Sequence, residues 1–193
     1  AQTFLGEGDE MIVVDPTFSS YEFYATIMGA RVIHLSLEPD TYGLSVDGLL
    51  GAVTDRCKIV CVCTPNNPTG LLIDAASMER LVRELPKDVL LVVDEAYFEY
   101  VTDERAVSAA EYLDEDRLLL VSRTFSKIYG LAALRVGYAL TSKAVAGFMG
   151  RVRSPFNINS LAQAAAAAAI GDEAHREASR AMNEEGKRFL YGK

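Results

Sequence analysis

The chain has 193 residues, half of them hydrophobic and 24% charged, which is enough apolar material for a domain with a substantial core and excludes intrinsic disorder. A formal net charge of −8 disfavours phosphate backbones and anionic lipid, so no nucleic-acid partner and no membrane partner is expected. No apolar run approaches the roughly 18 residues of a bilayer span, and no basic-then-apolar leader is present, so the cytoplasm is the expected compartment.

In chain order, short apolar runs alternate with helical patterns. The runs fall at residues 11–14, 32–37, 59–63, 89–93, 118–121 and 137–140, and several are apolar at consecutive positions, as in strands covered on both faces. Helical patterns occupy 21–28, 46–53, 75–85 and 143–149, with Asp74 and Ser142 placed to cap the last two. Such alternation predicts an α/β fold, a mostly parallel sheet flanked by helices. After Pro155 the pattern is helical only, with an alanine-rich stretch at 163–170 and a long charged helix at about 172–191. We divide the chain accordingly into a large α/β domain, 1–154, and a helical segment, 155–193, that leads away from it. Residues 1–5 read as the tail of a helix and 184–191 as a helix still under way, so the chain is expected to be a piece of a longer protein.

Cys57, Cys61 and Cys63 are the three cysteines, and the last two share a face if their run is a strand. His34 and His175 lie too far away in sequence to complete a zinc set, so these are expected to be buried structural thiols, with no metal site.

Ligands of open α/β sheets bind at the carboxyl ends of strands. The run 59–63 leads into Thr64-Pro65-Asn66-Asn67-Pro68-Thr69-Gly70, and 89–93 leads into Asp94-Glu95-Ala96-Tyr97. The run 118–121 leads into Ser122-Arg123-Thr124-Phe125-Ser126-Lys127, and 11–14 into Asp15-Pro16-Thr17-Phe18. Singly, each has an ordinary reading: a turn at 67–70, a helix cap at Asp94, a solvated lysine at Lys127, a core or turn anchor at Phe18. Together they would present an amide, a carboxylate, a phenol, hydroxyls, an amine and an aromatic ring to one cleft. A nucleotide-binding Rossmann domain would want glycines after the first strand, and residues 11–19 contain none.

The ordered set formed by these motifs, with Gly130-Leu131-Ala132-Ala133-Leu134-Arg135-Val136-Gly137 and Pro155-Phe156-Asn157-Ile158-Asn159-Ser160, resembles the class I/II aminotransferases over essentially the whole chain. Within them it is most similar to the histidinol-phosphate aminotransferases. The resemblance implies the cofactor-binding large domain of a pyridoxal-5′-phosphate (PLP) enzyme. Lys127 would bond covalently to the PLP aldehyde, and Asp94 would sit against the ring nitrogen. Asn67 and Tyr97 would hydrogen-bond the 3′ oxygen, and Phe18 would stack on the ring. Thr124, Ser126 and Arg135 would hold the 5′-phosphate. Elementary chemistry agrees. A nearby carboxylate raises the pKa of a ring nitrogen by roughly 1–3 units and keeps PLP an electron sink. A lysine amine forms an imine and, once displaced, shuttles a proton. A guanidinium fork suits a phosphate dianion.

The resemblance further implies a homodimer and transamination between an amine substrate and 2-oxoglutarate, with histidinol phosphate the first choice of amine. An aromatic amino-acid aminotransferase, an amino-acid-phosphate decarboxylase and an excised domain without activity of its own are the alternatives. Thr64 and Ala133 depart from the family pattern, which has Asn and Gly there; the added methyl at Ala133 could crowd a tight turn. A phosphate-binding loop upstream, a partner tyrosine and a downstream substrate-binding arginine belong to the family pattern and are not in this sequence.

Overall fold

A computed structural model describes residues 1–114 and 116–192. The first half alternates strictly: β1 (Glu10–Asp15), α1 (Ser20–Ile27), β2 (Arg31–Ser36), α2 (Val46–Gly51), β3 (Cys57–Cys63), α3 (Ala75–Glu84) and β4 (Leu90–Asp94). β5 (Leu119–Thr124) and β6 (Gly137–Thr141) complete one six-stranded sheet in the order β2-β1-β3-β4-β5-β6. Neighbours are parallel from β2 through to β5, and only β6 runs antiparallel to its partner. The expected mostly parallel sheet is therefore observed, with β6 as its one antiparallel strand. All six apolar runs are strands, with ends shifted by up to three residues.

Side chains alternate across a strand, so each run feeds two cores. On one face Ile12, Val60, Val62, Leu91 and Val121 pack under Leu49 of α2 and Met78 and Leu81 of α3. On the other Met11, Val13, Ile59, Cys61 and Leu90 meet Ala25 of α1 and Val145 of α4 (Lys143–Val152). Consecutive apolar residues in β1 and β3 are thus required, because helices cover both sides. The three cysteines are free and buried, as expected, and burial pushes the Cys57 and Cys63 thiols up to about 11, above neutral pH.

Helix starts follow from capping. The Asp74 side chain accepts from the Ser77 amide at 2.9 Å and Ser142 from Val145 at 3.4 Å, the two caps read from the sequence. Asn159 opens α5 (Ser160–Ala169) and Asp172 opens α6 (Glu173–Tyr191) in the same way. Residues 2–4 form a single turn, with the Leu5 amide bonded to the Ala1 carbonyl at 2.9 Å, where a helix tail was expected. Ala162 and Ala166 of α5 pack on Phe125, Ile128 and Tyr129, so the small alanine side chains seat this helix directly on the turn that carries Lys127.

Candidate active site

β1, β3, β4 and β5 are consecutive and parallel, so their carboxyl ends line one edge of the sheet. There the loop after β1 brings Phe18, that after β3 brings Asn67, β4 ends on Asp94, and the turn after β5 carries Ser126 and Lys127.

Asp94 is half-buried and held from two sides. Its Oδ1 accepts from the Ala96 amide at 3.0 Å, and its Oδ2 from the Tyr21 hydroxyl at 2.7 Å. Burial, followed by the neighbouring Cys61 and Asp94, pushes the Tyr21 phenol far above its ordinary value, so it stays a neutral donor. Phe18 and Tyr21 make a T-shaped ring contact with centroids 5.6 Å apart, and Phe18 remains 44% exposed. The Lys127 side chain is exposed, with its amine 5.0 Å from the centroid of the Tyr97 ring. Among the described residues no carboxylate lies within ion-pairing distance of that amine.

Thr124 and Ser126 sit on either side of the start of the turn, and the Ser126 amide donates to Thr124 Oγ1 at 3.0 Å. Arg135 precedes β6, whose antiparallel pairing places Gly137 opposite Thr124. Its Nη1 donates to Ser126 Oγ at 3.3 Å and to the Ala132 carbonyl at 2.7 Å. Arg135 takes a left-handed backbone, φ 52°, while Ala133 does not have a positive φ and is exposed, so the anticipated crowding at Ala133 does not arise. Thr64 is accommodated as well: its amide donates to the Asp94 carbonyl at 2.9 Å and its Oγ1 accepts from the Ile73 amide at 3.0 Å.

Asn67 and Tyr97 share the wall of an open cavity of about 720 Å³ that is also lined by Asn183, Lys187 and Tyr191 of α6. The other predicted site residues do not line it. Its position is fixed by Asn66, buried beneath, which accepts from Thr17 Oγ1 at 2.8 Å and donates to the Pro16 carbonyl and to Thr69. That network ties the loops after β1 and β3 together. The structure thus links Phe18 to Asp94 through Tyr21, Tyr97 to Lys127, and Ser126 to Arg135. The contribution of Tyr21 is absent from the sequence reading, although its place three residues after Phe18 at a helix start is the signal that could have found it.

A family model for aminotransferase class I and II matches residues 1–191. The chain belongs to the class I and II aminotransferases. Among curated relatives, the histidinol-phosphate aminotransferase of Moorella thermoacetica is 46% identical over 192 residues, covering 99% of this chain and 49% of that protein. The chain spans about half the length of the curated relatives it matches. Among solved structures, the histidinol-phosphate aminotransferase of Sinorhizobium meliloti in complex with pyridoxal-5′-phosphate superposes with a TM-score of 0.85 at 28% identity, covering 93% of this chain and 48% of that one. An aspartate aminotransferase from Thermus thermophilus, solved with maleate, gives 0.86 at 28% identity, over 97% and 50% of the two chains. This aminotransferase chain therefore shares its fold with solved aminotransferases, one of them in complex with pyridoxal-5′-phosphate.

Proposed function

We propose that this chain is the cofactor-binding half of a PLP-dependent aminotransferase that moves an amino group from histidinol phosphate to 2-oxoglutarate. The observation that carries the reading is the convergence at one sheet edge of a braced carboxylate, Asp94, an exposed amine, Lys127, over the Tyr97 ring, and an Arg135–Ser126 pair. That donor set fits PLP. Asp94 suits a protonated ring nitrogen, while the guanidinium of Arg135 and the hydroxyls of Thr124 and Ser126 suit a phosphate dianion. Asn67 and Tyr97 offer an amide and a phenol for the 3′ oxygen, and the partly exposed Phe18 ring suits stacking.

When bound, PLP supplies the electron sink that makes the substrate Cα–H acidic. The chain's own residues do the rest. Lys127 would hold the cofactor through its Nζ and, as a free amine, would move the proton between the substrate Cα and C4′. Asp94 would keep the proton on the ring nitrogen. Tyr21, kept neutral, fixes the Asp94 carboxylate against rotation.

Support for histidinol phosphate is the identity of the curated relatives, 37–46% over almost the whole chain. We further propose residues 1–154 as the large domain and 155–193 as a segment leading from it. The protein would work as a cytoplasmic homodimer. In its favour, α1 presents Phe23, Tyr24 and Ile27 as an exposed apolar stripe, each more than half exposed. Following glutamate formation from 2-oxoglutarate tests the activity. Full-length protein should make glutamate with histidinol phosphate and none when Lys127 is Ala. Glutamate formed only with aromatic amino acids would reassign the substrate, and carbon dioxide release without glutamate would reassign the reaction.

A further inference from the structure

Directly beneath the proposed cofactor edge, the residue that follows β4 and the residue before Thr124 point to the opposite side of the sheet. Because side chains alternate, a chain that aims Asp94 and Thr124 at the site must aim Glu95 and Arg123 away from it. The two meet there. Glu95 is fully buried, and its Oε2 accepts from Arg123 Nε at 2.9 Å and Nη2 at 2.6 Å. The remaining capacity of Glu95 is filled by the Ser108 hydroxyl, 2.8 Å from Oε2, and the Ala109 amide, 2.7 Å from Oε1. Arg123 in turn donates to Ser108 Oγ at 3.0 Å and to Glu99 at 3.2 Å, and its guanidinium lies 4.9 Å over the Phe98 ring. The Glu95 amide also donates to the Ser122 carbonyl at 2.9 Å.

Stability alone does not account for such a group. Desolvating a carboxylate and a guanidinium costs about as much as their attraction returns, and well-packed apolar residues commonly do as well or better. What apolar residues cannot supply is a fixed distance and angle. Two donors of one guanidinium on a single carboxylate oxygen form a fork that holds that oxygen at a set distance and angle. Here it joins the residue after Asp94 to the residue four before Lys127, on strands whose register pairs Asp94 with Ser122.

We propose that Glu95 and Arg123 are a positioning pair that sets the separation between Asp94 and the Ser126–Lys127 turn. Neither touches the cofactor, and the inference rests on the site assigned above. Small slippage of β5 along β4 would carry the amine and the phosphate-binding hydroxyls away from the carboxylate while leaving both cores intact.

Two variants of the full-length protein test this. Arg123→Lys keeps the charge and loses the fork. Glu95→Met with Arg123→Met replaces the pair by apolar side chains of similar length. For each, the thermal midpoint without cofactor, the PLP dissociation constant and the yield of borohydride-fixed pyridoxyl at Lys127 are measured. The positioning role predicts that the double variant melts at or above the wild-type temperature, yet both variants bind PLP about tenfold more weakly, with lower labelling at Lys127. Wild-type affinity and labelling in either folded variant would overturn the proposal. So would loss of folding in both, because the pair would then be structural. Failure of the wild-type protein to label at Lys127 would instead remove the site assignment beneath it.

Discussion

A carboxylate at the end of a buried strand turns toward whatever donors surround it, and at Asp94 those donors are a backbone amide and one phenol. Hydrogen bonds to a charged group are each worth roughly 1.5–3 kcal/mol. Tyr21→Phe removes one while keeping the ring that meets Phe18, so it should lower unfolding stability by about that amount and weaken PLP binding several-fold. Urea unfolding and a cofactor titration measure the two, and an unchanged PLP affinity would show that the amide alone orients Asp94. The residues that bear the proposed chemistry were legible in the sequence because each stands at a fixed offset from an apolar run. Tyr21 was not. Its hydroxyl acts on a residue 73 positions away, and in one dimension it reads as the first residue of an amphipathic helix. Glu95 and Arg123 were visible as letters in their motifs, but their pairing depends on the registration of β4 against β5.

At the scale of elements, the strands were readable because burial on both faces forces unbroken apolar runs, and the helices because their caps are polar residues at known offsets. Direction was not readable. An apolar run of five residues says nothing about whether it returns parallel or antiparallel, and β6 turns back after a 125–136 connection in which Arg135, two residues before the strand, takes a left-handed backbone. The tightness of that return rests on Gly137. A Cβ there would lie 2.7 Å from the Arg123 carbonyl oxygen, closer than any ordinary contact, so β5 and β6 approach only because the side chain is missing. Gly137→Ala should therefore destabilise the protein by roughly 1–3 kcal/mol, as overpacking does. It should also disturb Ser126 and Arg135, which the pairing holds 3.3 Å apart. Thermal unfolding checks the first effect, and phosphate-dependent cofactor affinity, PLP against unphosphorylated pyridoxal, checks the second. A wild-type melting temperature in this variant would mean that the strand pair yields more easily than its hydrogen bonds suggest.

At the scale of the molecule, a two-faced sheet with a core on each side provides a rigid edge, and the loops at that edge carry the chemistry. The opposite end is pinned separately. Glu10, buried at the start of β1, accepts from the Thr54 hydroxyl and from Arg56 at 2.7 Å, so β1 cannot slide against β3. The helical segment is less independent than its composition suggested, since α5 rests on the Lys127 turn and His175 of α6 lies 3.1 Å from the Ile128 carbonyl. The amine is therefore backed by packing from a region that the sequence marked only as alanine-rich. The central claim is that this edge holds PLP on Lys127. Adding PLP, reducing with borohydride and mapping the modified residue by mass spectrometry tests it most directly. The account predicts one pyridoxyl group, on Lys127, lost in Lys127→Ala with the fold unchanged. A specific adduct on another lysine, or an undiminished adduct in that variant, would contradict it.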